Sequence, residues 1–140
     1  MSVKLPDAER VYTDLVARLK PAVTDATVMV GIQTGGAWVA ERLHRDLAIA
    51  APLGILNISF YRDDYSSSGL HSNVRPSQIP FDVSGKRILL VEMSTGQMND
   101  DVNLATKSSK KLEFFGKTGG VVPTPDEVLE KLQNYSGKKK

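Results

Sequence analysis

Three short polar stretches of the chain carry the residues that could do chemistry. A glycine turn that enters a helix presents backbone N–H groups to an anion. An arginine beside two aspartates can hold phosphate, a nucleobase or Mg²⁺. An acid followed by a Thr-Gly turn at the end of a buried strand lies where a phosphate or ribose is expected. The candidates are Thr34, Gly35 and Gly36; Arg62, Asp63 and Asp64; and Glu92, Thr95 and Gly96.

Two of these stretches also have a structural explanation. A glycine pair is a common way to turn from a strand into a helix, and an Arg-Asp-Asp cluster can be a solvated turn. His71, in a long polar stretch, is interpreted as an exposed loop residue, and His44 as part of the solvated face of a helix. Because no second histidine lies near His71, the sequence predicts no metal site there.

Stretches rich in β-branched and apolar residues predict the strands that position the candidate residues. Residues 27–32 and 53–61 are predicted strands, and residues 88–91 form a continuous apolar run typical of a strand buried on both faces. A helix is predicted from residue 37 to 47, with Trp38, Leu43 and Leu47 facing the core. Because ligands bind beyond the carboxyl ends of parallel strands, all three candidate stretches fall on one edge of the predicted sheet.

The remaining chain supplies covering helices and one long connection. Asp7 is a predicted cap for a helix over residues 8–20, which Pro21 ends. Residues 65–80 are predicted to form a mobile flap. Beyond the third candidate stretch we expect a helix over 97–107, a short strand over 111–115, and a helix that begins with the capping box of Thr124 and Glu127.

Composition restricts the class of protein. At 140 residues, with 41% hydrophobic and 24% charged residues, the chain suits a single globular α/β domain. The absence of Cys excludes disulfides and thiolate metal sites and is consistent with a cytoplasmic protein. Nothing in it suggests export or a membrane span. The net charge of +2 depends on the basic tail, residues 136–140, and gives no argument for nucleic-acid binding.

A Gly-Lys-Thr sequence at residues 116–118 invites comparison with a phosphate-binding P-loop. That motif requires a glycine five positions before the Gly of Gly-Lys-Thr, and Lys111 occupies the position here. The spacing therefore excludes a P-loop.

Five stretches from the first two thirds of the chain resemble one family in order and spacing. They are Val-Gly-Ile-Gln-Thr-Gly-Gly at 30–36, Ala-Glu-Arg-Leu at 40–43, Ser-Phe-Tyr-Arg-Asp-Asp at 59–64, Ile-Pro-Phe-Asp-Val-Ser-Gly-Lys at 79–86, and Ile-Leu-Leu-Val at 88–91. Over residues 5–91 the chain resembles the pyrimidine regulatory (PyrR) family of type I phosphoribosyltransferases.

This resemblance implies transfer of ribose 5-phosphate from phosphoribosyl pyrophosphate (PRPP) to uracil, with Mg²⁺. By position, residues 34–36 would hold pyrophosphate, Arg62 and Asp63 would lie at the active-site edge, and residues 65–80 would form the closing hood. Asp64 is a further candidate for binding the substrate. The family also implies a dimer or larger assembly and, in some members, binding of pyrimidine-operon RNA.

The chain departs from this family after residue 91. The family continues into two adjacent acids and a Thr-Gly-Arg-Thr turn, where the acids hold ribose hydroxyls and the turn wraps the 5-phosphate. Here Glu92 stands alone, Met93 replaces the second acid, the spacer before Thr95 and Gly96 is two residues shorter, and Gln97 takes the Arg position. The family's later strands, with the rest of its base- and RNA-binding residues, have no counterpart. An impaired PRPP site is therefore expected.

Residues 91–132 resemble a different protein, the C-terminal end of a 2-oxoacid:ferredoxin oxidoreductase alpha subunit. Stretches 91–98, 101–105 and 114–125 carry this resemblance. It predicts a chimera joined near Val91, with residues 1–91 phosphoribosyltransferase-like, residues 92–135 tail-like, and one open, mainly parallel α/β sheet completed by the foreign βα segment. The functions left open are an impaired phosphoribosyltransferase, a non-catalytic α/β fusion or binding module, and, ranked last, an oxidoreductase fragment without cofactor ligands.

Overall fold

The first helix of the chain begins where the sequence predicts and ends one residue earlier than predicted. A computed structural model describes residues 6–57, 77–105 and 112–136. Helix α1 spans Ala8–Leu19, and Asp7 caps it by accepting a hydrogen bond from the backbone N–H of Arg10 at 2.9 Å. A 3₁₀ turn, Lys20–Ala22, follows and contains Pro21, so the prediction that the α-helix ends before Pro21 is confirmed.

The strands form parallel pairs, as the α/β pattern predicts. Strand β1, Val30–Ile32, pairs with β2, Gly54–Leu56, and strand β3, Ile88–Glu92, pairs with β4, Leu112–Gly116. The predicted α/β class with parallel pairing is confirmed. Within the described residues these strands make two separate two-stranded sheets rather than one sheet of four or five strands. The second half of the strand predicted over residues 53–61 lies outside those residues.

Three further helices complete the described architecture. They are α2, Gly35–Asp46; α3, Gln97–Ala105; and α4, Pro125–Ser136. In α4 the capping box is present, because the Glu127 N–H donates to Thr124 Oγ1 at 3.3 Å and the Thr124 N–H donates to Glu127 Oε2 at 2.9 Å. In the described part of the chain, no helix is long and apolar enough to cross a membrane.

The main buried cluster lies between α1, α2 and α4. Leu19, Leu47 and Ile49 are its buried members. Half-buried side chains pack around them: Leu15, Val16, Val23, Met29, Leu43 and Leu132. Leu132 comes from α4, and Arg18 of α1 pairs with Asp126 of the same helix. The C-terminal helix therefore packs against the N-terminal one.

Polar contacts hold α2 against α1. Arg42 makes two hydrogen bonds to the Glu9 carboxylate, at 2.8 and 2.5 Å, and its guanidinium lies 3.8 Å from the centre of the Tyr12 ring. Tyr12 Oη donates to Asp46 Oδ2 at 2.7 Å. Burial, reinforced by the Asp46 carboxylate, raises the pKa of Tyr12 to about 12. These contacts fix the orientation of α2, whose N-terminus carries the first candidate stretch.

The predictions that Trp38 faces the core and that strand β3 is buried on both faces are wrong. Trp38 is 69% exposed instead of facing the core, because α2 packs on β1 through Ala37 and Ala40, and Trp38 lies about 100° further round the helix. Strand β3 is buried on one face only, since Leu90 is 5% exposed whereas Val91 is 42% exposed.

Candidate functional site

The first candidate stretch lies where β1 runs into α2, and a glycine allows the two elements to approach. A Cβ added to Gly31 would lie 2.7 Å from Ala37 Cα and 2.8 Å from Ala40 Cβ. Only a residue without a side chain fits there. Close packing of helix on strand fixes the position of the helix N-terminus.

We call residues 33–36 the β1–α2 junction. Thr34, Gly35 and Gly36 are all exposed, and Thr34 occupies the N-cap position of the 12-residue helix. Its side chain makes no capping hydrogen bond within the described chain, and the peptide between Gln33 and Thr34 is cis. The first turn of a helix has N–H groups without intrahelical partners and carries the positive end of the helix dipole. The junction can therefore accept an anion from solvent.

Glycine leaves the solvent side of this junction open. A Cβ added to Gly35 would meet no atom within 4 Å, and one added to Gly36 would make only an ordinary 3.6 Å contact with Ile32 Cβ. The fold itself does not require glycine at these two positions. Packing within the protein therefore does not explain the two glycines. Close approach of a ligand to the backbone would explain them.

The second candidate stretch cannot be placed, because Arg62, Asp63 and Asp64 lie outside the described residues, as does His71. The chain on either side of it is described. Asn57, which follows β2 and is 5% exposed, donates its N–H to Ser77 Oγ at 2.8 Å. Ile55 and Gln78 exchange two backbone hydrogen bonds of 2.7 Å in antiparallel register. The long connection therefore leaves and returns beside the same strand.

The third candidate stretch lies where β3 runs into α3, and we call residues 93–96 the β3–α3 junction. The structure places Glu92 as the last residue of β3, on the same face as Leu90, and it is 5% exposed. Its Oε2 accepts the N–H of Met98 at 3.3 Å. Thr95 is exposed, and Gly96 has a φ of 103°, a left-handed conformation that favours glycine.

Ser94 also belongs to this junction, although it was not among the predicted site residues. Its hydroxyl oxygen accepts the N–H groups of Gly96 and Gln97, each at 3.2 Å. A serine two or three residues before a predicted helix is a capping signal, and that pattern could have identified it. The burial of Glu92 could have been inferred from its two-residue spacing from Leu90.

The Gly-Lys-Thr sequence belongs to the packing around these elements rather than to a P-loop. Gly116 ends β4, and a Cβ there would lie 2.5 Å from Ser94 O. The Lys117 ammonium pairs with the Glu127 carboxylate. This ion pair, helped by the Thr124 N–H, lowers the pKa of Glu127 to about 2.

The described residues contain no group of three His, Cys, Asp or Glu side chains able to hold a metal ion.

His44 is half-buried, and its Nε2 lies 2.6 Å from Ala51 O, so the prediction that it belongs to a solvated face is wrong. The ring is held because the loop after α2 folds back over it.

Known proteins are similar to a large part of this chain. A bifunctional PyrR protein of Pseudomonas aeruginosa is 48% identical over 83 residues, which are 59% of this chain and 49% of that protein. Proteins of the same name from Pseudomonas syringae and Pseudomonas fluorescens are 44% and 43% identical over 94 residues, or 64% and 66% of this chain.

This chain resembles bifunctional PyrR proteins. It spans about half the length of these curated relatives, 49% to 56% of each. No protein-family profile matches it. The resemblance to PyrR proteins is thus supported by sequence identity over 59% to 66% of the chain. The PyrR relatives give no support to the resemblance of residues 91–132 to an oxidoreductase subunit.

Proposed function

We propose that the chain is a PyrR-like phosphoribosyltransferase that transfers ribose 5-phosphate from PRPP to uracil, with reduced activity. The observation that carries the proposal is the 43% to 48% identity with bifunctional PyrR proteins over 83 to 94 residues. It is supported by the β1–α2 junction, where the Thr-Gly-Gly sequence forms an exposed helix N-terminus.

In this proposal, residues 34–36 bind the pyrophosphate of PRPP through backbone N–H groups. The positive end of α2 stabilises the charge that accumulates on pyrophosphate as its bond to ribose breaks. Arg62 and Asp63 take part at the active-site edge, and Asp64 helps to bind the substrate. Glu92, Thr95 and Gly96 are the remaining binding residues, for ribose 5-phosphate.

Mg²⁺ would arrive with PRPP. This ion commonly binds substrate phosphates together with one or two carboxylates and keeps several waters. The lack of a three-ligand cluster among the described residues is compatible with that mode of binding. Magnesium would neutralise phosphate charge, while the chain's own residues orient the substrate and keep water out.

The direct test is formation of UMP from uracil, PRPP and Mg²⁺. We expect slow turnover that Gly35→Val abolishes, because the added side chain enters open space in the fold but blocks the approach of pyrophosphate to the backbone. A melting curve of the variant checks that it folds. Absence of UMP together with absence of pyrophosphate binding would show that the proposal is wrong.

A second candidate is a non-catalytic α/β binding module that pairs with itself or with a partner. It is favoured by the exposed apolar side chains Trp38, Val39 and Leu104, which are 69%, 51% and 70% exposed. A homodimer or binding of pyrimidine-operon RNA would be compatible with this candidate. A cooperative melt that PRPP and Mg²⁺ do not shift would favour it over the enzyme.

A further inference from the structure

Helix α4 contacts α1, β3 and β4, and so touches both parts of the described structure. On the α1 side, Leu132 packs on the main buried cluster, and Asp126 pairs with Arg18. Arg42 and Tyr12 in turn join α1 to α2. This side of α4 is therefore fixed relative to the β1–α2 junction.

A neighbouring face of α4 lies against the β3–β4 pair. Glu127, Lys131 and Tyr135 are spaced by four residues, so they share one stripe of the helix. Glu127 pairs with Lys117, which follows β4, and the Lys131 ammonium lies 5.8 Å from the centre of the Phe115 ring of β4. This face is therefore fixed relative to the strand pair that carries the β3–α3 junction.

The chain that links the two strand pairs is held by α4 as well. Within the described residues the two pairs form separate sheets. Ile79 lies against β2, since a Cβ added to Gly54 would be 3.2 Å from Ile79 Cδ1, and the chain then runs on to β3. Just before β3, the Arg87 guanidinium donates to the backbone O of Tyr135 and lies 5.1 Å from the centre of its ring. The packing of α4, rather than strand pairing, thus relates the two sheets.

We propose that α4 is a positioning element that sets the separation of the two strand-to-helix junctions for one PRPP molecule. Leu132 and Asp126 do this on the α1 side, and the stripe of Glu127, Lys131 and Tyr135 does it on the side of the second sheet. The inference rests on the proposed function, in which PRPP contacts both junctions. Inorganic pyrophosphate contacts the β1–α2 junction alone, so its affinity should not depend on α4.

Energy transfer within the chain tests whether α4 sets this separation. The chain has one Trp, Trp38 of α2, and no Cys, so a Leu104→Cys substitution in α3 accepts a single dansyl label at a site that is 70% exposed. Leu132→Ala weakens the contact of α4 with the buried cluster and should lower the efficiency of transfer from Trp38 to the label, with an unchanged far-UV circular dichroism spectrum. An unchanged efficiency would overturn the inference.

Two further variants complete this test. Glu130→Gln changes an exposed residue of the same helix and should leave the transfer efficiency as it is in the unmodified protein. Asp126→Arg places a second positive charge beside Arg18 at an exposed position, so it should lower the efficiency without unfolding the chain. If Leu132→Ala does not fold, Asp126→Arg decides the matter in the same way.

Isothermal titration calorimetry with Mg²⁺ tests the consequence for binding. Leu132→Ala should weaken PRPP binding at least about tenfold, because a rigid ligand loses affinity when its two contact points are misplaced. Pyrophosphate affinity should stay the same. Equal losses for both ligands would show that α4 only supports the fold, and the inference would be wrong. If the unmodified protein bound neither ligand, the proposed function would be wrong, while energy transfer would still support or overturn the positioning role of α4.

Discussion

The two junctions both connect a parallel strand to a helix, but they differ in how the N–H groups at the start of the helix are bonded. At the β1–α2 junction, Thr34 lies at the N-cap without a capping hydrogen bond from its side chain, and residues 34–36 are exposed. At the β3–α3 junction, Ser94 and the buried Glu92 accept three N–H groups. Among the described residues, the helix start therefore has no side-chain acceptor from the N-cap in one place and has side-chain acceptors for three N–H groups in the other.

Packing behind the junctions differs as well. Gly31 brings α2 close to β1, so the helix N-terminus is fixed by contacts between helix and strand. The β3–α3 junction is fixed from the side, because Gly116 of the neighbouring strand lies against Ser94 O. Substitution of Gly31 or Gly116 should therefore lower the stability of the fold. Substitutions on the solvent side of the β1–α2 junction should instead change ligand affinity.

The largest effect is expected from Gly31→Val. The added side chain would overlap Ala37 Cα and Ala40 Cβ, which lie 2.7 and 2.8 Å from the position of a Cβ, so α2 must move away from β1. We expect the free energy of unfolding to fall by about 3 kcal/mol. Urea denaturation measures this loss. The control is Gly35→Ala, where the added Cβ meets no atom within 4 Å and stability should stay unchanged.

Gly116→Ala should have the next largest effect. Its Cβ would lie 2.5 Å from the backbone oxygen of Ser94, which cannot move without shifting the β3–α3 junction. A loss of about 2 kcal/mol in the free energy of unfolding is expected. Urea denaturation is again the measurement, and a variant as stable as the unmodified protein would show that Ser94 moves freely.

Capping gives the sharpest comparison of the two junctions. Ser94→Ala removes an acceptor from two N–H groups and should lower the free energy of unfolding by about 1 kcal/mol. Thr34→Ala removes no capping bond and should change it by less than about 0.5 kcal/mol. Thermal melts of both variants test this difference. If both variants lost the same free energy of unfolding, the two helix starts would not differ in capping by Ser94 and Thr34.

The smallest effect concerns the third capped helix, α4. The pKa of Glu127 is lowered from 4.5 to about 2, chiefly by its ion pair with Lys117. A lowered pKa gives stability that is complete above pH 4.5 and is lost as the pH falls towards 2. Glu127→Gln should flatten the pH dependence of the melting temperature in that window. Glu130→Gln, which removes a charge from the same helix outside the capping box, should leave this dependence intact.

The sequence was sufficient where local rules act alone. Asp7 and the Thr124–Glu127 capping box mark helix starts because their side chains bond N–H groups within three residues of themselves. The α/β class followed in the same way from apolar runs alternating with helical periodicity. The Thr-Gly-Gly sequence of residues 34–36 was likewise correctly placed at the entrance of a helix.

Burial was decided by tertiary structure. Trp38 is an apolar residue at helical spacing, yet it is exposed because the narrow contact of Ala37 and Ala40 with Gly31 sets which face of α2 meets the strand. Glu92 has the type and place of a ligand-binding acid, yet β3 directs it inward on the side of Leu90. The local sequence pattern predicts which residues lie at each strand-to-helix junction. Packing of helix on strand, together with the alternation of faces along the strand, decides which of those residues face solvent.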